Sequence, residues 1–154
     1  MRIVVCVKHV PDMQSERRFE GGRLVRGEDD VLNELDENAI EAAVQLKESE
    51  EDAGREAEVV ALTMGPEDAE DSLMRALQMG ADRAYIVSDE FLEGSDVITT
   101  ASVLSVAIAK ISEECGPVDL VITGMASLDA MTSMLPAALA AKAHMPLLGL
   151  ARSL

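Results

Sequence analysis

Residues 59–87 read VVALTMGPEDAEDSLMRALQMGADRAYIV, and this stretch decides the fold class. Val59 to Met64 is a short continuous apolar run of the kind that forms a strand covered on both faces. Gly65-Pro66 breaks it, and proline is tolerated in the first turn of a helix. The period then changes: Ala69, Leu73, Ala76 and Leu77 fall on one helical face, and Gly80 stops the helix. Tyr85 to Val87 is apolar again. Two strands joined by a helix are a crossover unit, and crossover units make parallel sheets.

The same alternation extends in both directions. Ile3 to Val7 and Leu120 to Thr123 read as buried strands, and Leu147 to Leu150 as a fifth. Asp36 is the expected N-cap of a helix with Ala39, Ile40, Ala43, Val44 and Leu46 on its apolar stripe, closed by Gly54. Ser95 or Asp96 starts another, with Val97, Ala101, Leu104, Ala107, Ile108 and Ile111 facing inward, ended by Gly116-Pro117. A fourth helix is expected over Ser133 to Lys142, with Pro136 in its first turn. Together these predict an α/β fold: a doubly wound, mainly parallel five-stranded sheet flanked by helices, Rossmann-like, in one domain over 1–154. Ligands of such sheets bind beyond the carboxyl ends of the strands, where strand order reverses.

Asp12 to Leu32 fits neither period. It carries Arg17, Arg18, Arg23 and Arg26 around a Gly21-Gly22 turn and is expected to be a hairpin with Phe19 and Leu24-Val25 packed inward. Glu48 to Asp52 reads as a solvated helix end.

Composition narrows the function. A chain of 154 residues with 48% hydrophobic residues is globular. With two Phe, one Tyr and no Trp, it has no aromatic platform for a base or a flavin ring. Thirteen Lys and Arg against 29 Asp and Glu give a net charge of −16, which repels nucleic acid and anionic lipid. Cys6 and Cys115 form neither a disulfide framework nor a metal spacing. The N-terminal apolar run is too short for a secretory signal, so a reducing, cytoplasmic setting is expected. No run of 18 apolar residues predicts a membrane span. His9 and His144 have no partner at ligand spacing, and phosphate-loop, dinucleotide and paired-cysteine motifs are absent. No catalytic constellation is legible, so the chain is not expected to be an enzyme by itself. The nine Met residues read as core filling.

The loops after the strands carry more. Lys8-His9-Val10-Pro11-Asp12 follows the first, Met64-Gly65-Pro66 the second and Gly124-Met125-Ala126-Ser127 the fourth. Glycines there permit close approach of a ligand, and a helix start after Thr132-Ser133 offers backbone donors. These loops point to a small-anion or nucleotide site.

Four separated motifs agree in order: MRIVVCVKHVPD at 1–12, VLNELDENAIEAAVQLKE at 31–48, MGP with Arg75-Ala76-Leu77 and MGADRA at 64–84, and DLVITGMASLDAMTSMLPAALA at 119–140. SERRF before a glycine turn adds a fifth. In these motifs the chain resembles the N-terminal portion of the β subunit of electron transfer flavoproteins, the FixA type. The resemblance implies an adenine nucleotide alpha hydrolase-like fold and pairing with an α subunit that contributes most of the FAD site. It implies AMP as a structural nucleotide in this subunit, replaced by a second FAD in bifurcating relatives. It also implies electron flow from acyl-CoA or similar dehydrogenases toward the respiratory chain.

Carried over by position, the resemblance places Cys6 on the strand behind the nucleotide. It assigns Asn33, Glu34, Leu35 and Asp36 to the adenosine turn. Met64 and Gly124 stand at strand ends, and Asp129, Thr132, Ser133, Met134 and Leu135 form the phosphate loop. Two departures stand out. Ala130 and Ser133 occupy positions where the family usually has glycine, and no Lys or Arg is nearby in sequence to replace backbone donors, so AMP is expected to be weak or absent. The family's β subunits also continue past Leu154, through a segment that packs on α. The apolar stretch Pro146 to Leu150 is therefore expected to act as an unpaired edge strand and to drive self-association of the isolated chain. The rival readings are a stand-alone universal-stress-like adenine-nucleotide module and a truncated remnant.

Overall fold

Val4, Val5 and Cys6 alternate between two buried environments, and this places their strand at the centre of the molecule. The computed structural model describes residues 1–27 and 29–151. The central strand is β1 (Arg2–Cys6). It is followed by β2 (His9–Pro11), β3 (Phe19–Glu20), β4 (Arg23–Leu24) and β5 (Asp30–Leu32), then by α1 (Glu34–Asp52). The remainder alternates: β6 (Glu58–Met64), α2 (Glu70–Gln78), β7 (Arg83–Val87), α3 (Val97–Cys115), β8 (Leu120–Thr123) and α4 (Leu135–Lys142).

The main sheet has four strands in the order β7-β6-β1-β8, all parallel. Residues of alternate parity supply its two faces. Ile3, Val5, Val59 and Ala61 pack with Ile40 and Ala43 of α1 and with Leu73 and Ala76 of α2. Val4, Cys6, Val60 and Leu62 pack with Ala101, Leu104, Ile108 and Ile111 of α3 and with Leu139 of α4. Both faces are covered, which is why these strands read as continuous apolar runs. The chain moves outward from β1 through β6 to β7, then returns across the sheet to place β8 on the other side of β1. Strand order therefore reverses between β1 and β8, and the carboxyl ends of these two strands frame the crevice where doubly wound sheets bind ligands.

The expected helix limits hold in the main. Asp96 caps α3, accepting a hydrogen bond from the Thr99 N–H at 2.7 Å. Gly80 ends the α2 segment with φ of 116°, and a Cβ there would crowd Val44 at 3.2 Å. Arg17 to Arg26 does contain a hairpin, with Phe19 opposite Leu24. A second antiparallel pair, β2 with β5, returns the excursion to the body of the domain.

Four expectations are corrected. The main sheet has four strands: Leu147 to Leu150 forms no strand, and Leu148 and Leu150 are 86% and 85% exposed. After α4 the chain takes a left-handed turn at His144, and Met145 N–H donates back to the Ala140 carbonyl, so the run is not laid along the edge of β8. Phe19 is exposed, because the two-residue strands of its hairpin leave it no buried face. Asp36 is not the N-cap of α1; Asn33 is, and Asp36 lies in the first turn with its side chain inward. α4 begins at Leu135 and not at Ser133, because Met131 and Ser133 take φ near +50°, outside the helical region.

Candidate functional site

Asn33 is completely buried, and its hydrogen bonds explain why. Its N–H donates to the Lys8 carbonyl at 2.9 Å. Its side-chain amide donates to the Ala126 carbonyl at 2.9 Å, and its amide oxygen accepts the Leu128 N–H at 3.0 Å. One side chain thus ties the loop after β1, the start of α1 and the loop after β8 into a single unit. A buried amide with both ends satisfied is a rigid fastener.

Asp36 sits one turn further on. Lys8 N–H donates to its carboxylate at 2.8 Å, and the nearby Asn33 amide, Lys8 and Gly124 N–H favour its charged form. Burial nevertheless dominates and raises its pKa from 3.8 to about 7. Cys6 is 5% exposed on the α3 and α4 side of the sheet. Burial, and then the Asp36 charge, push its thiol up to about 12, so it is an inert packing group and not a nucleophile.

Asp129 lies in the loop after β8 with its side chain buried. Lys8 Nζ lies 2.8 and 3.0 Å from its two carboxylate oxygens, and Arg26 donates to one of them. The carboxylate is fully buried, whereas Lys8 and Arg26 keep 40% and 38% of their side chains exposed. Burial works against the charge, but hydrogen bonds from Lys8, Arg26 and Ser127 outweigh it and hold the carboxyl well below its usual range. Arg17 reaches the Leu128 carbonyl at 3.2 Å. These cations escaped the sequence reading because Lys8 and Arg26 lie 121 and 103 residues from Asp129 in the chain. The position of Lys8 directly after a central strand, and the arginine-rich excursion returning beside it, were the signals to follow.

Cys6 packs in the core against α3 and α4, while the structure gathers Asn33, Asp36, Gly124 and Asp129 at the carboxyl ends of β1 and β8. Leu35 is half-buried there, with its carbonyl beside Gly124. Glu34 turns away and lines a separate open cleft of about 520 Å³ between β5 and α2. Met64, at the end of β6, is half-buried against the α3 and α4 layer. Thr132, Ser133 and Met134 are exposed and Leu135 is half-buried. The loop is tight, with the Ala130 and Met131 N–H groups both donating to the Ser127 carbonyl. Ser133 has φ of 51°, as a position suited to glycine should, but Ala130 does not; its neighbour Met131 has φ of 52°. His9 is buried with Nδ1 2.8 Å from Ser72 Oγ and pins β2 to α2, a structural role. Among the described residues no cluster of His, Cys, Asp and Glu could hold a metal, and no helix is long and apolar enough to cross a membrane.

A parallel sheet with its strand-order reversal at β1 and β8, and two loops locked together there, defines an α/β domain of the doubly wound class. The chain belongs to the electron transfer flavoprotein domain family, whose sequence profile matches residues 22–154. It is 41% identical over 135 residues to Protein FixA of Azorhizobium caulinodans, covering 86% of this chain and 46% of that protein. It is 40% identical over 147 residues to an electron transfer flavoprotein subunit beta of Mycobacterium tuberculosis, covering 94% of this chain and 54% of that one. A caffeyl-CoA reductase-Etf complex subunit, CarD of Acetobacterium woodii, is 38% identical over 148 residues, covering 95% and 53%. The chain spans about half the length of the curated relatives it matches.

Proposed function

We propose that this domain is the adenine-nucleotide-holding part of a β-type electron transfer flavoprotein subunit, which acts with an α subunit to carry electrons and is not a catalyst by itself. The observation that carries this reading is the Asn33 fastener, which joins the adenosine turn to the loop after β8 at the strand-order reversal. The residues fit an adenine nucleotide as follows. Asn33 and Asp36 shape the turn, Gly124 permits the close approach of the two loops, and Thr132 and Ser133 are exposed on the loop that would face a phosphate. AMP would be held weakly, since left-handed backbone is imposed on Met131 and Ser133 where glycine would adopt it at lower cost.

The same reading assigns FAD to the complex and not to this domain. Phe91 and Phe19 are 89% and 70% exposed, and Tyr85 is engaged with Cys115 at 3.3 Å, so none of the three rings is packed into a wall that would sandwich a flavin. The relatives' names, a subunit beta and a subunit of a caffeyl-CoA reductase-Etf complex, support pairing with an α-type subunit and work beside an oxidoreductase of CoA esters; the reading takes the electrons from an acyl-CoA or similar dehydrogenase toward the respiratory chain. The two free cysteines fit a reducing, cytoplasmic setting.

The test is to denature the purified protein and identify released small molecules by mass spectrometry, then to repeat after co-expression with an α-type subunit. The reading expects an adenine compound in less than stoichiometric amount from the domain alone, and flavin only from the complex. Stoichiometric flavin from the domain alone, or no adenine compound even after incubation with excess AMP and adenosine, overturns it.

A further inference from the structure

We propose that the open cleft between β5 and α2 docks an extended basic segment of a partner protein, with small apolar side chains against Val31 and Leu32 and Lys or Arg heads at Asp30, Glu34 and Asp71. The cleft is separate from the strand ends that Asn33 fastens, so this inference does not rest on the adenine-nucleotide reading.

The cleft has room and a formed floor. Its volume, about 520 Å³, falls within the range of about 300–1,000 Å³ usual for binding sites. Leu32 is packed into the core, and Val31 beside it keeps 41% of its surface exposed. The floor is fastened from below: β5 pairs with β2, and His9 of β2 holds Ser72 of α2 at 2.8 Å. Little ordering of this side is needed when a partner arrives.

The rim is acidic. Asp30 of β5, Glu34 and Glu37 of the first turn of α1, and Asp71 of the first turn of α2 border the cleft with one cation, Arg75. Arg75 is already held by Glu37 at 3.3 Å. Among the described residues no ion pair holds Asp30, Glu34 or Asp71. Helix dipoles account for carboxylates in the first turns of α1 and α2, but not for both turns and Asp30 bordering one apolar floor. Complementarity selects a cationic occupant with small apolar side chains.

β5 also has an unused edge, since its sheet has only two strands. Asn33 N–H donates to the Lys8 carbonyl and Asp12 N–H to the Asp29 carbonyl, so Asp29, Val31 and Asn33 turn their backbone groups toward β2. Those of Asp30 and Leu32 turn to the opposite edge, and both residues line the cleft. An extended segment can add there as a strand. Its alternate small side chains reach the floor, and its long cationic stems bend to the rim.

The net charge of −16 attracts any cation at long range, so the experiment must separate the cleft from that background. The probe is a fluorescein-labelled peptide, Lys-Val-Arg-Val-Lys-Val-Arg, and its control has glycine in place of each valine. Binding is read by fluorescence anisotropy at about 0.15 M salt, where exposed charges are screened beyond about 8 Å. The proteins are the native domain, Glu34→Gln/Asp71→Asn, Val31→Ser, and Glu51→Gln/Asp52→Asn at the far end of α1, with thermal melting to verify folding. The valine peptide should bind the native domain at least tenfold more tightly than the glycine peptide. E34Q/D71N should weaken it at least fivefold, and E51Q/D52N should leave it within twofold. V31S should remove most of the preference for valine, and this variant decides if E34Q/D71N does not fold. No binding of the valine peptide overturns the proposal. Equal binding of the two peptides, or equal weakening by the two double variants, also overturns it, since the attraction would then be that of the whole chain. Displacement of the peptide by spermidine at the same concentration overturns it in favour of a free polycation.

Discussion

A Cβ built on Gly124 would stand 2.1 Å from Oδ1 of Asp36 and 3.0 Å from the Leu35 carbonyl oxygen. The first residue past β8 therefore meets the first turn of α1 with no room for any side chain. The carboxylate that uses this space accepts the Lys8 N–H at 2.8 Å and lies against Gly124, so it closes the gap between the ends of β1 and β8. The crevice is shaped by this contact.

Replacing Gly124 with Ala should force Asp36 out of its position. Overpacking of this kind costs about 1–3 kcal/mol. Urea unfolding should show a lower midpoint with an unchanged slope, and adenosine binding should be lost. A variant as stable as the native chain that still binds would show that the two loops move apart freely.

Asp36 should make stability fall as pH rises. Its folded pKa, about 7, exceeds the ordinary 3.8. Between those values the native state keeps a proton that the unfolded chain has released, so folding is favoured at the acid end of the window and loses that advantage toward pH 7. The shift corresponds to roughly 4 kcal/mol at most. Unfolding midpoints from pH 4.5 to 8 for the native chain and Asp36→Asn should give a difference curve that slopes through this window and flattens above it. A flat difference curve would mean that Asp36 is charged throughout.

Asn33→Ala should release the loop after β8. The Ala126 carbonyl and the Leu128 N–H lose their partner, at roughly 1–3 kcal/mol for each group left unpaired. Hydrogen exchange at Leu128 should accelerate more than exchange in β1 and β6, since the opening is local. Uniform acceleration would show that Asn33 acts on global stability alone.

Single glycine substitutions at Ser133 and Ala130 should move stability in opposite directions. Ser133 has φ of 51°, and a left-handed conformation costs an L-residue about 1–2 kcal/mol, so Ser133→Gly should raise the melting temperature. Ala130 is not left-handed, and Ala130→Gly should lower it by the extra entropy of the unfolded chain, about 0.4–1 kcal/mol. Shifts of the same sign would refute this account of the loop.

Thr63 offers a stabilising change. Its hydroxyl is buried in β6 without a hydrogen-bond partner among the described residues. Thr63→Val keeps the shape and the β-branch, removes the unsatisfied group and should gain roughly 1 kcal/mol. Thermal melting that shows a loss would reveal a partner for that hydroxyl.

Residues 59–87 were legible because period and length say the same thing there: β6, α2 and β7 fall where the apolar runs and the 3.6-residue stripe place them. Leu147 to Leu150 was misread for a related reason. An apolar run reports affinity for a buried site, but a strand also needs a free edge aligned with it, and the turn at His144 carries this run elsewhere. Asp36 was misassigned because a capping residue and a buried carboxylate share one residue type; only the positions of Lys8 and Gly124 decide between them.

By itself the sequence determined the parallel α/β architecture and the two covered faces, since both are written in local periodicity, and its motifs of contiguous residues pointed to Asn33, Gly124 and Asp129, which the fold gathers at the carboxyl ends of β1 and β8. Tertiary structure alone decided the charge at those strand ends. Lys8 and Arg26 come to Asp129 from more than a hundred residues away, and whether a carboxylate is solvated, half-protonated or locked between two cations depends on what the fold places around it. Coulomb energy and desolvation are set by distance in space and by exclusion of water, and neither is a property of position along the chain.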